Sequence, residues 1–165
     1  MGQGRAYGRD DALLVGDRVC LRLLDEREHI AAWREWLDDP EVARWMEGDV
    51  GPAPLMYGIE RVDDGALIGG VVFADVSEDR RAELVIAIGE ADARGRGYGR
   101  EAIGLALGHA FGRLRMREVF LRVRPDNRRA VRCYLACGFL PEGQLSRRVG
   151  GGPPRRVLLM SRRAG

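Results

Sequence analysis

An α+β domain built on a mixed, mostly antiparallel sheet is the architecture expected of this chain, and three observations lead to it. A period-two hairpin pattern fills residues 55–74, and a further apolar strand pattern follows at 83–88. From Gly97 the apolar period becomes helical, and after one more strand the chain ends in a second helix and two late strands. At 165 residues, 45% hydrophobic and 32% charged, the chain has the size and balance of one compact domain.

In chain order, residues 1–12 are Gly-rich and polar and read as a frayed tail, leaving 13–165 as the folded domain. Val15 to Leu23 reads as a hairpin-like opening whose strand puts Val19, Leu21 and Leu23 on one face and Cys20 and Arg22 on the other. Asp25 is placed to cap a helix in which Ile30, Ala32, Trp33, Trp36 and Leu37 recur at spacings of three and four, ending before Pro40. A short helical turn, Glu41 to Met46, and a loop from Gly48 to Pro54 come next. Leu55 to Val62 and Ala66 to Ala74 flank an Asp63-Asp64-Gly65 turn as a hairpin, and Glu83 to Ile88 is the next, centrally buried strand. Ile103, Ala106, Leu107, Ala110, Phe111 and Leu114 form a helical stripe, which predicts a helix lying on the sheet. Val119 to Val123 is a strand, Asn127 to Cys137 a helix closed by Gly138, and two late strands flank the Gly150-Gly151-Gly152-Pro153-Pro154 loop.

Composition narrows the function. The longest apolar runs fall far below the roughly 20 residues of a membrane span, and the first residues lack the apolar core of a signal peptide, so a cytoplasmic protein with no membrane partner is expected. Cys20, Cys133 and Cys137 are odd in number and have no His or Cys cluster beside them, which predicts free thiols and no metal site. All 27 basic residues are Arg. Residues 25–92 hold 18 acidic against 6 basic side chains, whereas 93–165 hold 4 against 17, so one part suits cations and the other anions.

Arg94-Gly95-Arg96-Gly97-Tyr98-Gly99 joins a strand to a helix. Its glycines permit positive φ and close approach, and its successive N–H groups can face one concavity at the positive helix end, as a diphosphate requires. A Walker loop needs Gly-Lys-Ser/Thr, and the chain has no Lys. Gly97 to Ala102 matches G-x-G-x-x-A, but a dinucleotide turn starts directly after its strand, and Gly97 lies nine residues beyond Ile88. The Arg excess accompanies this loop rather than an aromatic-interleaved sheet, so no nucleic-acid partner is expected.

The run Arg94-x-x-Gly97-x-Gly99 resembles the R/Q-x-x-G-x-G/A signature of the GNAT superfamily of N-acetyltransferases, in the form used by its ribosomal-protein and small-amine branches. Val123 to Ala130, followed by Cys133-Tyr134-Leu135-Ala136-Cys137-Gly138-Phe139, is similar to the family's second cofactor segment, V-x-x-x-N-x-x-A-x-x-x-Y-x-x-x-G-F. Leu21-Arg22-Leu23, Asp39-Pro40-Glu41-Val42 and Val157-Leu158-Leu159-Met160 extend the similarity over about residues 13–162. The resemblance implies a splayed central sheet flanked by helices, and acetyl-CoA as cofactor. It also implies a diphosphate site at Arg94, Gly95, Arg96, Gly97, Tyr98, Gly99 and Arg100. The main chain of Ile86, Ala87 and Ile88 would pair with the pantetheine amides like an added strand, and Asn127, a helix cap in its own right, would also bond the cofactor arm.

Acetyl transfer needs a neutral amine, a stabilised oxyanion and a protonated leaving thiol. Tyr134 lies seven residues, two helical turns, after Asn127, so its phenol reaches the cofactor side and can donate to the departing sulfur. Glu83 resembles the family's carboxylate base, although an exposed strand-end charge is the alternative, and an α-amine acceptor needs no dedicated base. The oxyanion would sit near the N–H of Ile86 or Ala87. The expected reaction is direct attack by a primary amine, a protein N-terminal α-amine or a small cationic amine, in a ternary complex; the alternative is a non-catalytic acyl-CoA-binding sensor. Trp33, Trp36, Trp45 and Tyr57 are candidates both for lining the acceptor cleft and for packing the core. Only Gly48 to Pro54 separates Met46 from Leu55, a shorter connection than this branch usually has, which predicts an open acceptor cleft. A homodimer is compatible with the sequence.

Overall fold

Alternation of apolar residues builds the sheet strand by strand in the computed structural model, which describes residues 13–47, 50–51, 53–148 and 150–165. The expected tail, 1–12, lies outside the described residues. Strands β1 (Leu13–Val15), β2 (Val19–Leu23), β3 (Leu55–Arg61), β4 (Leu67–Ala74) and β5 (Arg81–Ile88) pair antiparallel in sequence order. The β3–β4 turn is fixed by Gly65 at φ 71 and by Asp64, which accepts from the Arg61 guanidinium at 3.0 and 2.8 Å and from the Ala66 N–H at 3.1 Å. β6 (Glu118–Val123) then lies parallel to β5, and β8 (Arg155–Arg163) and the edge strand β7 (Leu140–Arg147) complete the order β1-β2-β3-β4-β5-β6-β8-β7. The domain is α+β, with a mixed, mostly antiparallel sheet of eight strands and four α-helices among the described residues.

Helix α1 (Glu26–Leu37) starts in a capping box, Asp25 bonding the Glu28 N–H while the Glu28 carboxylate returns to the Asp25 N–H. Its buried stripe is His29, Ala32, Trp33 and Trp36. Ile30, expected on that face, is 40% exposed; the stripe is rotated by one residue, and the His29 Nε2 sits 2.6 Å from the Val50 carbonyl oxygen. Helix α2 (Pro40–Trp45) opens on the Asp39 cap with Pro40 in its first turn. Helix α3 (Tyr98–Gly112) follows the Gly-rich loop, and α4 (Arg128–Ala136) runs from the Asn127 cap to Gly138, whose φ of 88 ends it.

Because successive strand residues face opposite ways, β4 and β5 feed two cores. Val71, Phe73, Ala82 and Leu84 join Ile103, Ala106, Leu107 and Ala110 of α3 on one face, while Val72, Ala74 and Val85 meet Trp33, Trp36 and Val42 on the other. Close approach is allowed by two glycines: a Cβ on Gly70 would lie 2.9 Å from the Trp33 indole nitrogen, and one on Gly89 would lie 2.2 Å from the Trp36 ring. Tyr57 is fully buried edge-on to His109, with ring centroids 6.4 Å apart. Trp33, Trp36 and Tyr57, which were candidates for the acceptor cleft, are therefore packing side chains of the two cores.

Candidate active site

The cleft exists because β5 and β6 part company. Their parallel register runs Arg81↔Glu118, Ala82↔Val119 and Glu83↔Phe120 and stops there, although β5 continues to Ile88. The Gly89 N–H bonds the Ile68 carbonyl across the β4 edge, and since antiparallel pairing alternates by two, Ala87 and Val85 also spend their main-chain groups on β4. Ile86 and Ile88 then turn theirs toward the gap. The Ile88 carbonyl accepts from Arg94 Nε at 3.0 Å, which leaves both main-chain groups of Ile86 and the N–H of Ile88 facing the gap. The oxyanion and pantetheine roles considered for Ala87 thus concern a residue whose N–H and C=O face β4. Around the gap lies a cavity of ≈ 900 Å³, walled by Ile86, Ala87, Ile88, the Gly-rich loop, α2 and α4.

A short 3₁₀ turn (Ala91–Ala93) leads into the loop. Arg94 does not project into the cavity as a free cation: its Nη2 bonds Asp39 Oδ2 and the Gly89 carbonyl, both at 2.8 Å. Gly95 and Gly97 hold φ of 72 and 83, which other residues rarely adopt, and Gly97 caps α3 without any side-chain bond to its first N–H groups. Gly95, Gly97, Gly99 and Arg100 line the cavity, whereas Tyr98 is buried beneath Arg18 and Arg96 turns its carbonyl to the same Arg18. Sequence reasoning passed over Arg128, Arg129 and Arg132, which line the cavity from α4. A signal for them existed, since α4 has no acidic residue in its first turn and cations there oppose the helix dipole.

Asn127 caps α4, accepting from the Ala130 N–H at 3.4 Å, and reaches the cavity wall with Tyr134. The Tyr134 ring packs edge-on against Phe139 at 6.0 Å. Burial pushes its phenol above the ordinary value, and the neighbouring Cys133 and Cys137 add to the shift, so the group keeps its proton at neutral pH. Glu83 is no exposed strand end: it is 1% exposed, and both its oxygens accept from Arg122, at 2.7 and 2.9 Å. Glu47, unremarked in the sequence, is also buried in the cavity wall, 3.0 Å from Arg155 Nη2 and 3.8 Å from Arg147 Nη1. Among the four aromatic candidates Trp45 alone lines the cavity, with the Arg44 and Arg124 guanidinium groups 4.5 and 4.9 Å from its ring centre.

Comparison with known proteins agrees with this geometry. The Acetyltransferase (GNAT) domain profile matches residues 45–140, more than half of the chain. A spermidine N(1)-acetyltransferase of Vibrio cholerae is 36% identical over 80 residues, 48% of this chain and 46% of that protein, so the match spans about half of the relative's length. An N-acetyltransferase 9-like protein of Nematostella vectensis is 21% identical over 155 residues, 78% of each chain. In three dimensions, the V. cholerae spermidine N-acetyltransferase solved with CoA and spermine superposes with a TM-score of 0.77 at 22% identity, over 90% of this chain and 97% of that one. A GNAT-family acetyltransferase of Bacillus anthracis gives 0.78 at 16%, over 92% and 98%. No described helix is long and apolar enough to cross a membrane. From its two cofactor motifs, its splayed sheet and the matching profile, the chain belongs to the GNAT family of acetyl-CoA-dependent N-acetyltransferases.

Proposed function

We propose that the chain acetylates a primary amine, a small cationic amine or a protein N-terminal α-amine, by direct attack in a ternary complex in the cytoplasm. The observation that carries this reading is the meeting, in one cavity, of an uncapped helix start, an open strand edge and a protonated phenol.

Acetyl-CoA supplies the activated acetyl group. The first N–H groups of α3 take the diphosphate, and Arg128, Arg129 and Arg132 line the same cavity from α4. Ile86 offers its main chain to the pantetheine arm and its N–H to the carbonyl oxygen where charge develops. Tyr134 donates its proton to the departing sulfur. The amine enters from the wall formed by Glu41, Trp45 and Glu47, and the likeness to a spermidine acetyltransferase supports the small-amine branch. Glu83 is the candidate base: each of its oxygens keeps a second lone-pair site while Arg122 occupies the first, enough to accept a proton directly or through water.

The test is thiol release from acetyl-CoA against a panel of polyamines, other small amines and N-terminal peptides. Turnover with at least one amine is expected. Tight CoA binding with no turnover on any acceptor would replace the transferase reading by an acyl-CoA sensor.

A further inference from the structure

Arg18 sits in the β1–β2 turn, far from the cavity in sequence, yet four contacts bind it to the Gly-rich loop and the start of α3. Its Nη1 donates to the Arg96 carbonyl at 2.8 Å, and its guanidinium lies 5.0 Å from the centre of the Tyr98 ring. Its own N–H donates to Glu101 Oε1 at 2.7 Å, and its Nε to Glu101 Oε2 at 3.3 Å. The turn is seated tightly, since a Cβ on Gly16 would lie 2.8 Å from Glu101 Oε1. Burial alone would raise the Glu101 carboxyl, but the bonds from the Arg18 and Val19 N–H groups and the Arg18 side chain outweigh it and hold the group below its ordinary value.

The geometry has a directional consequence. In a trans peptide the C=O and the following N–H point opposite ways. Arg96 C=O and Gly97 N–H share one peptide plane, so gripping the oxygen from the β1–β2 side aims the N–H the other way, toward the cavity that Gly97 lines. The guanidinium also packs closely on position 97, where a Cβ would lie 3.0 Å from Arg18 Nη2.

We propose that Arg18 is a positioning residue of the cofactor site: it locks the Arg96–Gly97 peptide in the orientation that presents the Gly97 N–H to the diphosphate of acetyl-CoA. The proposal rests on the reading of the Gly-rich loop as the diphosphate site. It predicts an effect confined to donors that carry a diphosphate, which a loss of general stability would not produce.

The experiment compares wild type, Arg18→Met and Arg18→Lys with acetyl-CoA and with S-acetylpantetheine, which lacks the diphosphate, at one saturating amine concentration. Met keeps the aliphatic stem over Tyr98 and removes the donors; Lys restores one donor to the Arg96 carbonyl. Arg18→Met should raise KM for acetyl-CoA about tenfold, the loss of one to two charge-assisted bonds, with kcat unchanged. Its kcat/KM for S-acetylpantetheine should equal that of wild type, and Arg18→Lys should recover part of the acetyl-CoA affinity. An equal loss with both donors, or unchanged KM for acetyl-CoA, overturns the proposal. Calorimetry of CoA on the wild type separates the two levels: no binding there overturns the diphosphate reading itself, whereas binding that is equal in wild type and Arg18→Met overturns only the role of Arg18.

Discussion

Glu83 and Arg122 form a forked ion pair at the point where β5 and β6 diverge, with the carboxylate 1% exposed and the guanidinium partly open to solvent. The pair closes the floor of the splay and raises the Arg122 pKa above its ordinary value, chiefly through the bonds to Glu83. Removing one partner of such a pair strands the other charge. Glu83→Gln should therefore cost about 3 kcal/mol of stability, read by urea denaturation, and Glu83→Leu combined with Arg122→Met should recover most of it. Activity in that double variant separates the two roles of Glu83. If it is the base, turnover with an alkyl amine at neutral pH stays low and recovers as pH rises; full turnover at neutral pH would reduce Glu83 to a packing partner.

Tyr134→Phe removes the proposed acid and keeps the ring against Phe139. The expected outcome is a kcat lower by about 10²-fold with CoA affinity, by calorimetry, within about twofold. Unchanged turnover would exclude the acid role. The phenol's raised pKa also carries a stability signature: its contribution is whole below the unfolded value of about 10 and fades as pH rises through the folded one. Alkaline titration of the melting temperature should show this fall in the wild type and less of it in Tyr134→Phe.

Asp39 joins two functions, capping α2 through Oδ1 and holding Arg94 through Oδ2. The Arg94 bond, then the Glu41 N–H, hold its carboxyl below the usual range. Its contribution is whole above the unfolded value of about 3.9 and is lost as pH falls through the lowered folded value. Asp39→Ala should loosen α2 from the Gly-rich loop and raise KM for both substrates, because one link braces both walls of the cavity. A rise for the amine alone would show that α2 moves without disturbing the loop.

Arg129 stands beside the loop, its Nη1 3.8 Å from where a Gly95 Cβ would be. Arg129→Met should raise the Kd for CoA about fivefold at low ionic strength, and the difference should shrink in 0.5 M salt as screening removes the term. A loss insensitive to salt would point to packing rather than to charge.

Much of this architecture is legible along the chain. The 55–74 hairpin, the α3 stripe, the Asp25 and Asn127 caps and the Gly138 stop are local, set by spacing and by the residue at one position, and each forms where its residues predict. What escaped depends on partners distant in sequence. Glu83 reads as a candidate base or an exposed strand-end charge, and its burial is hidden because Arg122, its partner, lies 39 residues on. Trp33 and Trp36 read as core with the cleft left open as an alternative, since the apolar period does not reveal that Gly70 and Gly89 open seats for their rings. Glu47 sits in a loop where a charge is unremarkable until Arg147 and Arg155 of the last hairpin close over it. Arg94 bears the family motif, yet its guanidinium is spent on Ile88, Gly89 and Asp39, and that too is a matter of tertiary contact.

A crystal structure of the protein grown with CoA is the most direct trial of the account. The diphosphate oxygens should lie within hydrogen-bonding distance of the N–H groups at Gly97 and Gly99, with the pantetheine arm paired to Ile86 and the sulfur beside the Tyr134 hydroxyl. A nucleotide bound elsewhere, or a diphosphate held only by side chains away from the start of α3, would contradict it.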